Sequence, residues 1–186
     1  PYIPYWLTQT YVWFHYFVSF FIPYNLSADT DLTVITDFTD YRIIIGALFI
    51  TMYIISIFIT SKKKETRIIS YGLIWFGASL LPTSVAPFAE VMNDHRMYFA
   101  FLGLTISLTS IIYLVLLNRE KYFSNSSKLK TLGILAFLII SVHAFGVYKR
   151  GKVWDNDQAL WKDVTEKSPR NGRGWMNYGL TQMAKG

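Results

Sequence analysis

The residues best suited to chemistry stand together. Glu90, Asn93, Asp94, His95 and Arg96 place five polar or ionisable side chains within seven positions. They follow Pro82-Thr83-Ser84 and Pro87, which are expected to break the preceding helix, and they precede a long apolar run. Ionisable groups at membrane depth cost several kcal/mol unless paired, so such a cluster marks a candidate site. Arg96 and His95 offer donors to a phosphate. Glu90 and Asp94 can orient those donors or bind sugar hydroxyls. If the stretch is helical, Glu90, Asp94 and Met97 share one face, as do Asn93 and Arg96. The other reading is an ordinary span end, with Asp94 near the helix start and Arg96 snorkelling. A metal held by His95, Asp94 and Glu90 is disfavoured, because adjacent residues cannot all converge on one ion from a helix; neither metal nor cofactor is expected. The chain has no cysteine, which excludes a thiol nucleophile and a Cys-ligated metal. It also has no Gly-x-Ser-x-Gly elbow, no P-loop and no dinucleotide fingerprint.

The elements that must position this cluster are read from composition. Of 186 residues, 52% are hydrophobic, 18% aromatic and only 16% charged. A soluble domain is about a quarter charged. Four apolar blocks stand out: Ile43–Thr60, Ile68–Val85, Met97–Leu117 and Thr131–Val147. As helices they reach roughly 25–32 Å, close to the thickness of the hydrocarbon core. The fold class is therefore all-α, a polytopic helical membrane protein with about four spans. The net charge of +6 is spread in short runs between apolar blocks, a pattern of membrane flanks and not of a nucleic-acid groove.

The loops predict orientation. Ser61–Arg67 carries Lys62, Lys63, Lys64 and Arg67, and Asn118–Lys130 carries Arg119, Lys121, Lys128 and Lys130. Both are expected to face the cytoplasm. The acidic loop Tyr24–Arg42, the segment from about Pro82 to Arg96 and the tail after Val147 then lie outside, although Lys149, Arg150 and Lys152 argue against that side for the tail. Asp29–Asp40 is expected to be solvated. Asn25-Leu26-Ser27 and Asn125-Ser126-Ser127 match the glycosylation pattern, the second on the expected cytoplasmic side. Tyr5–Pro23 is aromatic-rich, with a polar track of Thr8, Tyr11, His15 and Ser19. It reads as an interfacial helix or a tilted fifth span.

The tail changes character. Asp155–Lys167 reads as a helix capped by Asp155 or Asn156, and Pro169-Arg170-Asn171-Gly172 as a turn. A second helix then starts near Arg173. Pro169, followed by Trp175, Tyr178 and Gly179, with Trp161 before it, has the spacing of the tetratricopeptide repeat. Trp175, Tyr178 and Gly179 are expected to face inward, the glycine allowing close helix approach. A generic helical hairpin is the alternative. Residues 1–148 are thus read as the C-terminal part of a multi-span membrane domain and 149–186 as the start of an α-solenoid, in a piece of a longer protein.

Taken together, Pro82-Thr83-Ser84, Val91-Met92, Tyr98 and Gly103, joined to a repeat-like tail, resemble the transmembrane-and-tetratricopeptide family. Asp94 stands where that family has Glu, and His95 where it has Arg. Thr8-Gln9, Pro23 and Leu26-Ser27-Ala28-Asp29 are similar to the region that precedes its later spans. The resemblance implies a GT-C type glycosyltransferase that moves a sugar from a polyprenyl-phosphate carrier to a protein on the outer side, its catalytic acidic residue lying in an earlier loop. Glu90, Asn93, Asp94, His95 and Arg96 then become candidates for the donor phosphate or sugar, and Gln9, His15, Asp29 and Tyr98 for their support. The implied partners are the lipid bilayer, the lipid-linked sugar and an acceptor or partner protein at the repeats, with no nucleic acid. The implied place is the bacterial inner membrane or the endoplasmic reticulum, repeats on the outer or lumenal side. A non-catalytic anchor that displays a repeat scaffold is the alternative; a transporter is disfavoured because no inverted repeat is visible.

Overall fold

The computed structural model describes residues 2–88, 90–117 and 126–185. Among them the chain forms seven α-helices: α1 Tyr2–Phe21, α2 Tyr41–Ser61, α3 Arg67–Val85, α4 Met97–Leu117, α5 Ser126–Val153, α6 Asp157–Lys167 and α7 Gly172–Met183. Short 3-10 turns at Lys64–Thr66 and Asp94–Arg96 lead into α3 and α4. Four helices are long and apolar enough to cross a membrane, covering Tyr41–Ser61, Lys64–Val85, Asp94–Val115 and Gly133–Val153. These are the four expected spans. Residues 118–125, with much of the second basic loop and the sequon at Asn125, lie outside the described residues.

Helices α2, α3 and α4 pack as successive antiparallel neighbours. Small residues allow it, as they do where lipid removes the hydrophobic drive between helices. A Cβ on Gly72 would collide with the Gly103 carbonyl, and one on Gly103 with the Gly72 carbonyl. Beside this crossing, Ser107 Oγ donates to Ile69 O at 3.0 Å and Trp75 Nε1 to Phe99 O at 3.1 Å. Between α2 and α3, the Tyr53 hydroxyl donates to Leu73 O, and the Thr60 and Ser70 hydroxyls share a 2.7 Å bond.

Helix α1 lies across one end of this bundle. Thr10 and Tyr11 cover Gly46 on α2, Phe17 meets Phe49 and Phe76, and Phe20 meets Phe101 on α4. Its first turn reaches the C-terminus of α3, where Tyr5 Oη donates to Thr83 O (2.7 Å) and Trp6 Nε1 to Val85 O (3.2 Å). The last carbonyls of a helix have no partner inside it, so α1 caps α3 with its aromatic donors. The expected polar track is split. Thr8 and Ser19 are buried, whereas Tyr11 and His15 are half-buried.

Pro82 does not end α3 as expected; the helix continues to Val85. A proline near a helix C-terminus removes one backbone bond, and hydroxyls can hold the turn around it. Thr83 Oγ1 and Ser84 Oγ both donate to Leu80 O, at 3.0 and 2.8 Å.

Helix α5 stands apart. Its apolar window is wholly exposed, and it is tied to the rest near its C-terminus, where Arg150 pairs with Asp163 of α6 at 2.6 Å. Through α6 and α7 the tail returns to the loops that precede α2 and α4. The tail hairpin and both of those loops therefore share one end of the bundle. Lys62, Lys63, Lys64 and Arg67 sit at the other end.

The glycine crossing gives a direct check. Gly72→Val should destabilise the protein in detergent by about 1–3 kcal/mol through overpacking, seen as a lower thermal midpoint. Gly133→Ala, at a glycine with nothing within 4 Å, should not lower it.

Candidate functional site

The cluster forms on a stretch of chain that is not helical. Residues 90–93 are not helical, bending at Val91 and extended at Asn93, and helix begins only after the 3-10 turn Asp94–Arg96. This corrects the expectation of one helical face carrying Glu90, Asp94 and Met97. The cause is visible in the backbone partners. Gln9 Nε2 donates to Val91 O at 3.0 Å, Thr30 Oγ1 to Met92 O at 2.8 Å and Tyr16 Oη to Asn93 O at 2.7 Å. Asn93 N returns a bond to Tyr16 Oη at 3.1 Å, and Asp94 N donates to Ser27 O at 3.2 Å. Buried backbone groups need partners; here side chains from α1 and the 27–30 segment supply what a helix would have supplied internally.

Side chains then link into an alternating row. Arg173, from the tail, donates Nε to Asp29 Oδ2 at 2.8 Å and Nη1 to Glu90 Oε1 at 2.6 Å. The Glu90 Oε2 atom accepts from Asn93 Nδ2 and lies 3.4 Å from Arg96 Nη2. Arg96 Nη1 donates to Glu90 O at 2.8 Å, and its guanidinium lies 4.9 Å from the Phe88 ring centroid. Asp29, Arg173, Glu90 and Arg96 are thus ordered acid, base, acid, base. A second group lies beside it. Asp163 pairs with Arg150 and, at 2.7 Å, with Lys167, which also donates to Leu26 O at 2.8 Å. Asp94 lies within electrostatic reach of Arg150, Lys167 and Asp163.

The structure sorts the candidates. It joins Glu90, Asn93, Arg96 and Asp29 in one row, and turns Asp94 toward the α5–α6 junction. Asp29 is buried, at 3% exposure, contrary to the expectation of a solvated acidic loop; Asp37 fits that expectation. His95 is exposed, and no hydrogen bond or ion pair engages it among the described residues. Gln9 supports the backbone of the site. His15 packs beside Tyr11 and Tyr16 on α1 and does not reach the row. Tyr98 is 79% exposed. Four buried polar atoms have no partner among the described residues: Asp29 Oδ1, Asn93 Oδ1, Asp94 Oδ2 and Arg150 Nη2. No group of three His, Asp or Glu residues able to hold a metal occurs among the described residues. Sequence reasoning missed Arg173, Lys167 and Tyr16. Only Tyr16 left a signal, as the last large member of the buried stripe Tyr5, Gln9, Val12 and Tyr16.

The tail is a helical hairpin, with Asn156 capping α6 through Ala159 N (2.9 Å) and Asn171 capping α7 through Gly174 N (3.1 Å). Its close approach occurs at Gly174, where a Cβ would stand 2.7 Å from Val164 Cγ1. Gly179 faces open space, so it does not make the approach expected of it. Trp175 is 53% exposed, not inward, and its Nε1 donates to Pro169 O at 2.9 Å. Trp161 and Tyr178 are half-buried.

Helices α1, α2 and α3 line an apolar groove of about 510 Å³, which meets the site's backbone through Gln9. Ile57 and Ile74 line it, as do Trp6, Gln9 and Ser84, with Ala78 also on its wall. The polar groups on its wall are already used: Trp13 Nε1 donates to Ser84 Oγ at 2.7 Å, and Gln9 is bound to Val91.

Removing Arg173 should free the tail. Arg173→Ala leaves Asp29 buried without its partner and should cost about 1.5–3 kcal/mol. Hydrogen exchange over residues 26–31 and 168–174 should accelerate, and Asp29→Asn should recover part of the loss in the double variant.

Comparison with protein-family models, with curated proteins and with solved structures gave no match for this chain.

Proposed function

We propose that the chain belongs to a membrane-embedded glycosyltransferase that takes a sugar from a polyprenyl-phosphate donor and passes it to a protein at the end of the bundle that carries the hairpin. The observation that carries this reading is the apolar groove, whose wall residue Gln9 also holds the backbone of the site at Val91. Its volume, about 510 Å³, lies in the ordinary range for a small-molecule site of roughly 300–1,000 Å³. Its wall offers hydrocarbon and no free donor, which suits the tail of a lipid carrier. The head group would then sit among the loops. Arg96 Nη2 is the more weakly held nitrogen, at 3.4 Å from Glu90 Oε2, and so the one that would turn to a phosphate. His95 adds an exposed ring. Cationic donors of this kind stabilise a departing phosphate while a carboxylate base activates the acceptor hydroxyl. The family resemblance assigns that base to an earlier loop, and the residues here to holding the donor.

The hairpin serves this reading as the start of a repeat domain that presents the acceptor. A second reading has its own support. Arg173 between Asp29 and Glu90, with Lys167 on Leu26, fixes the hairpin to the membrane helices as a rigid platform would. That is what an anchor for a protein-binding scaffold needs.

Binding of a photoreactive polyprenyl phosphate to the purified protein separates the two. The transferase reading expects saturable labelling of α1–α3, reduced at least tenfold in Ala78→Trp, which fills the groove. Arg96→Ala should weaken binding by roughly 10–150-fold, the loss of a charge-assisted contact of about 1.5–3 kcal/mol, and Arg96→Lys should restore only part of it. Labelling that does not saturate, or that Ala78→Trp leaves unchanged, favours the anchor.

Orientation has its own test. By the positive-inside rule, a cysteine at Lys63 should be labelled only from the cytoplasmic side and one at Asp157 only from the outer side. Labelling of Asp157 from the cytoplasm reverses the proposed topology.

A further inference from the structure

The C-terminal turns of α5 carry three cations, and the structure uses only one of them. Arg150 is turned to α6 and paired with Asp163. At about 100° per residue, Lys149 and Lys152 lie about 100° and 160° round the helix from Arg150, in one broad stripe with Phe145 and Tyr148. Both lysines are exposed. Lys149 Nζ lies 5.2 Å from the Phe145 ring centroid and Lys152 Nζ lies 4.8 Å from that of Tyr148. No carboxylate lies within 4.0 Å of either ammonium among the described residues.

Their depth is informative. The uncharged run Thr131–Val147 ends just before them, and its middle is Ile139. Lys149 then stands about 15 Å and Lys152 about 19–20 Å from the centre along the axis, at and just beyond a hydrocarbon half-thickness of about 15 Å. A lysine at that depth extends its stem so that the ammonium reaches the phosphate layer. Here two of them do so from one face, over aromatic rings that suit the interface. That face is unpartnered along the whole apolar window, so lipid chains have access to it.

We propose that Lys149 and Lys152 form a site for the head group of an anionic phospholipid of the bilayer, whose chains lie along the exposed face of α5 past Val142. Charge complementarity selects this occupant. Two unpaired ammoniums beside an apolar surface match one phosphodiester with two acyl chains and an uncompensated negative charge. A zwitterionic lipid brings its own cation and gains less. The site is separate from the polar row and does not rest on the transferase reading.

Because the chain has no cysteine, Val142→Cys offers a single attachment point on that face for a fluorescent label. The full chain in nanodiscs is titrated with acyl-brominated phosphatidylglycerol or acyl-brominated phosphatidylcholine, and quenching is followed. The glycerol lipid should quench at lower mole fraction, with an advantage of about fivefold per lysine at low salt, and the advantage should shrink as salt rises. In Lys149→Gln/Lys152→Gln the two lipids should quench alike. Quenching by phosphatidylcholine at the level of the parent shows that α5 is still inserted. Equal quenching by the two lipids in the chain with both lysines present overturns the proposal without any variant, as does a preference that survives the double substitution.

Discussion

Residues 90–93 impose the constraint on which the rest of the site depends. Residues 91–93 are buried and none of the four is helical, so their backbone cannot satisfy itself as a helix does. The helix α1 solves most of this problem. Gln9 and Tyr16 stand seven residues apart on one helical face and reach Val91 and Asn93. The 27–30 segment adds Thr30 Oγ1 for Met92 O and Ser27 O for Asp94 N. Once these bonds are made, Glu90 and Arg96 have fixed positions at the mouth of the bundle. Asp29 is carried alongside by its neighbours, and the Asp29–Glu90 pair becomes a receptor for Arg173. The tail is therefore docked through a chain of consequences that begins with an unsatisfied backbone.

The bundle makes α1's position possible. Gly46 gives it room against α2, and aromatic rings fill the space between them, with Trp13, Phe17, Phe49, Tyr53 and Phe76 meeting at 5.2–6.4 Å. Aromatic side chains suit this role because they bury large areas while Tyr and Trp keep a polar edge. The same helix closes the end of α3 through Tyr5 and Trp6 and walls the apolar groove through Trp6 and Trp13. One element thus shapes both the polar row and the apolar groove.

How much of this could be read from the sequence depends on how local each cause is. The four spans were legible because each is a continuous apolar run. The caps were nearly so, since Asn156 and Asn171 act within three residues. Pro82 misled because its helix is held by hydroxyls at 83 and 84 and by α1 donors nearly eighty residues away, which no window contains. The Glu90–Arg96 cluster was legible as a concentration of polar groups but not as a geometry, because the partners that unwind it come from Gln9, Tyr16 and Ser27. Asp29 was singled out only through the family resemblance, and its burial follows from Arg173, 144 positions later. In the tail, the spacing of Trp175 and Gly179 matched a repeat, yet the contact that closes the hairpin uses Gly174, whose only local mark is its place three residues after the capping Asn171.

The most direct measurement is amide hydrogen exchange at Asn93 and Asp94, in the parent chain and in Tyr16→Phe. The substitution removes one hydroxyl and strips two bonds from Asn93. In the parent, both amides should exchange far more slowly than that of the exposed Thr36. In Tyr16→Phe they should speed up by roughly 5–150-fold, as expected for a buried group left unpaired at about 1–3 kcal/mol. Exchange in the parent as fast as at Thr36, or rates that Tyr16→Phe leaves unchanged, would contradict the dependence of the site on this buried segment.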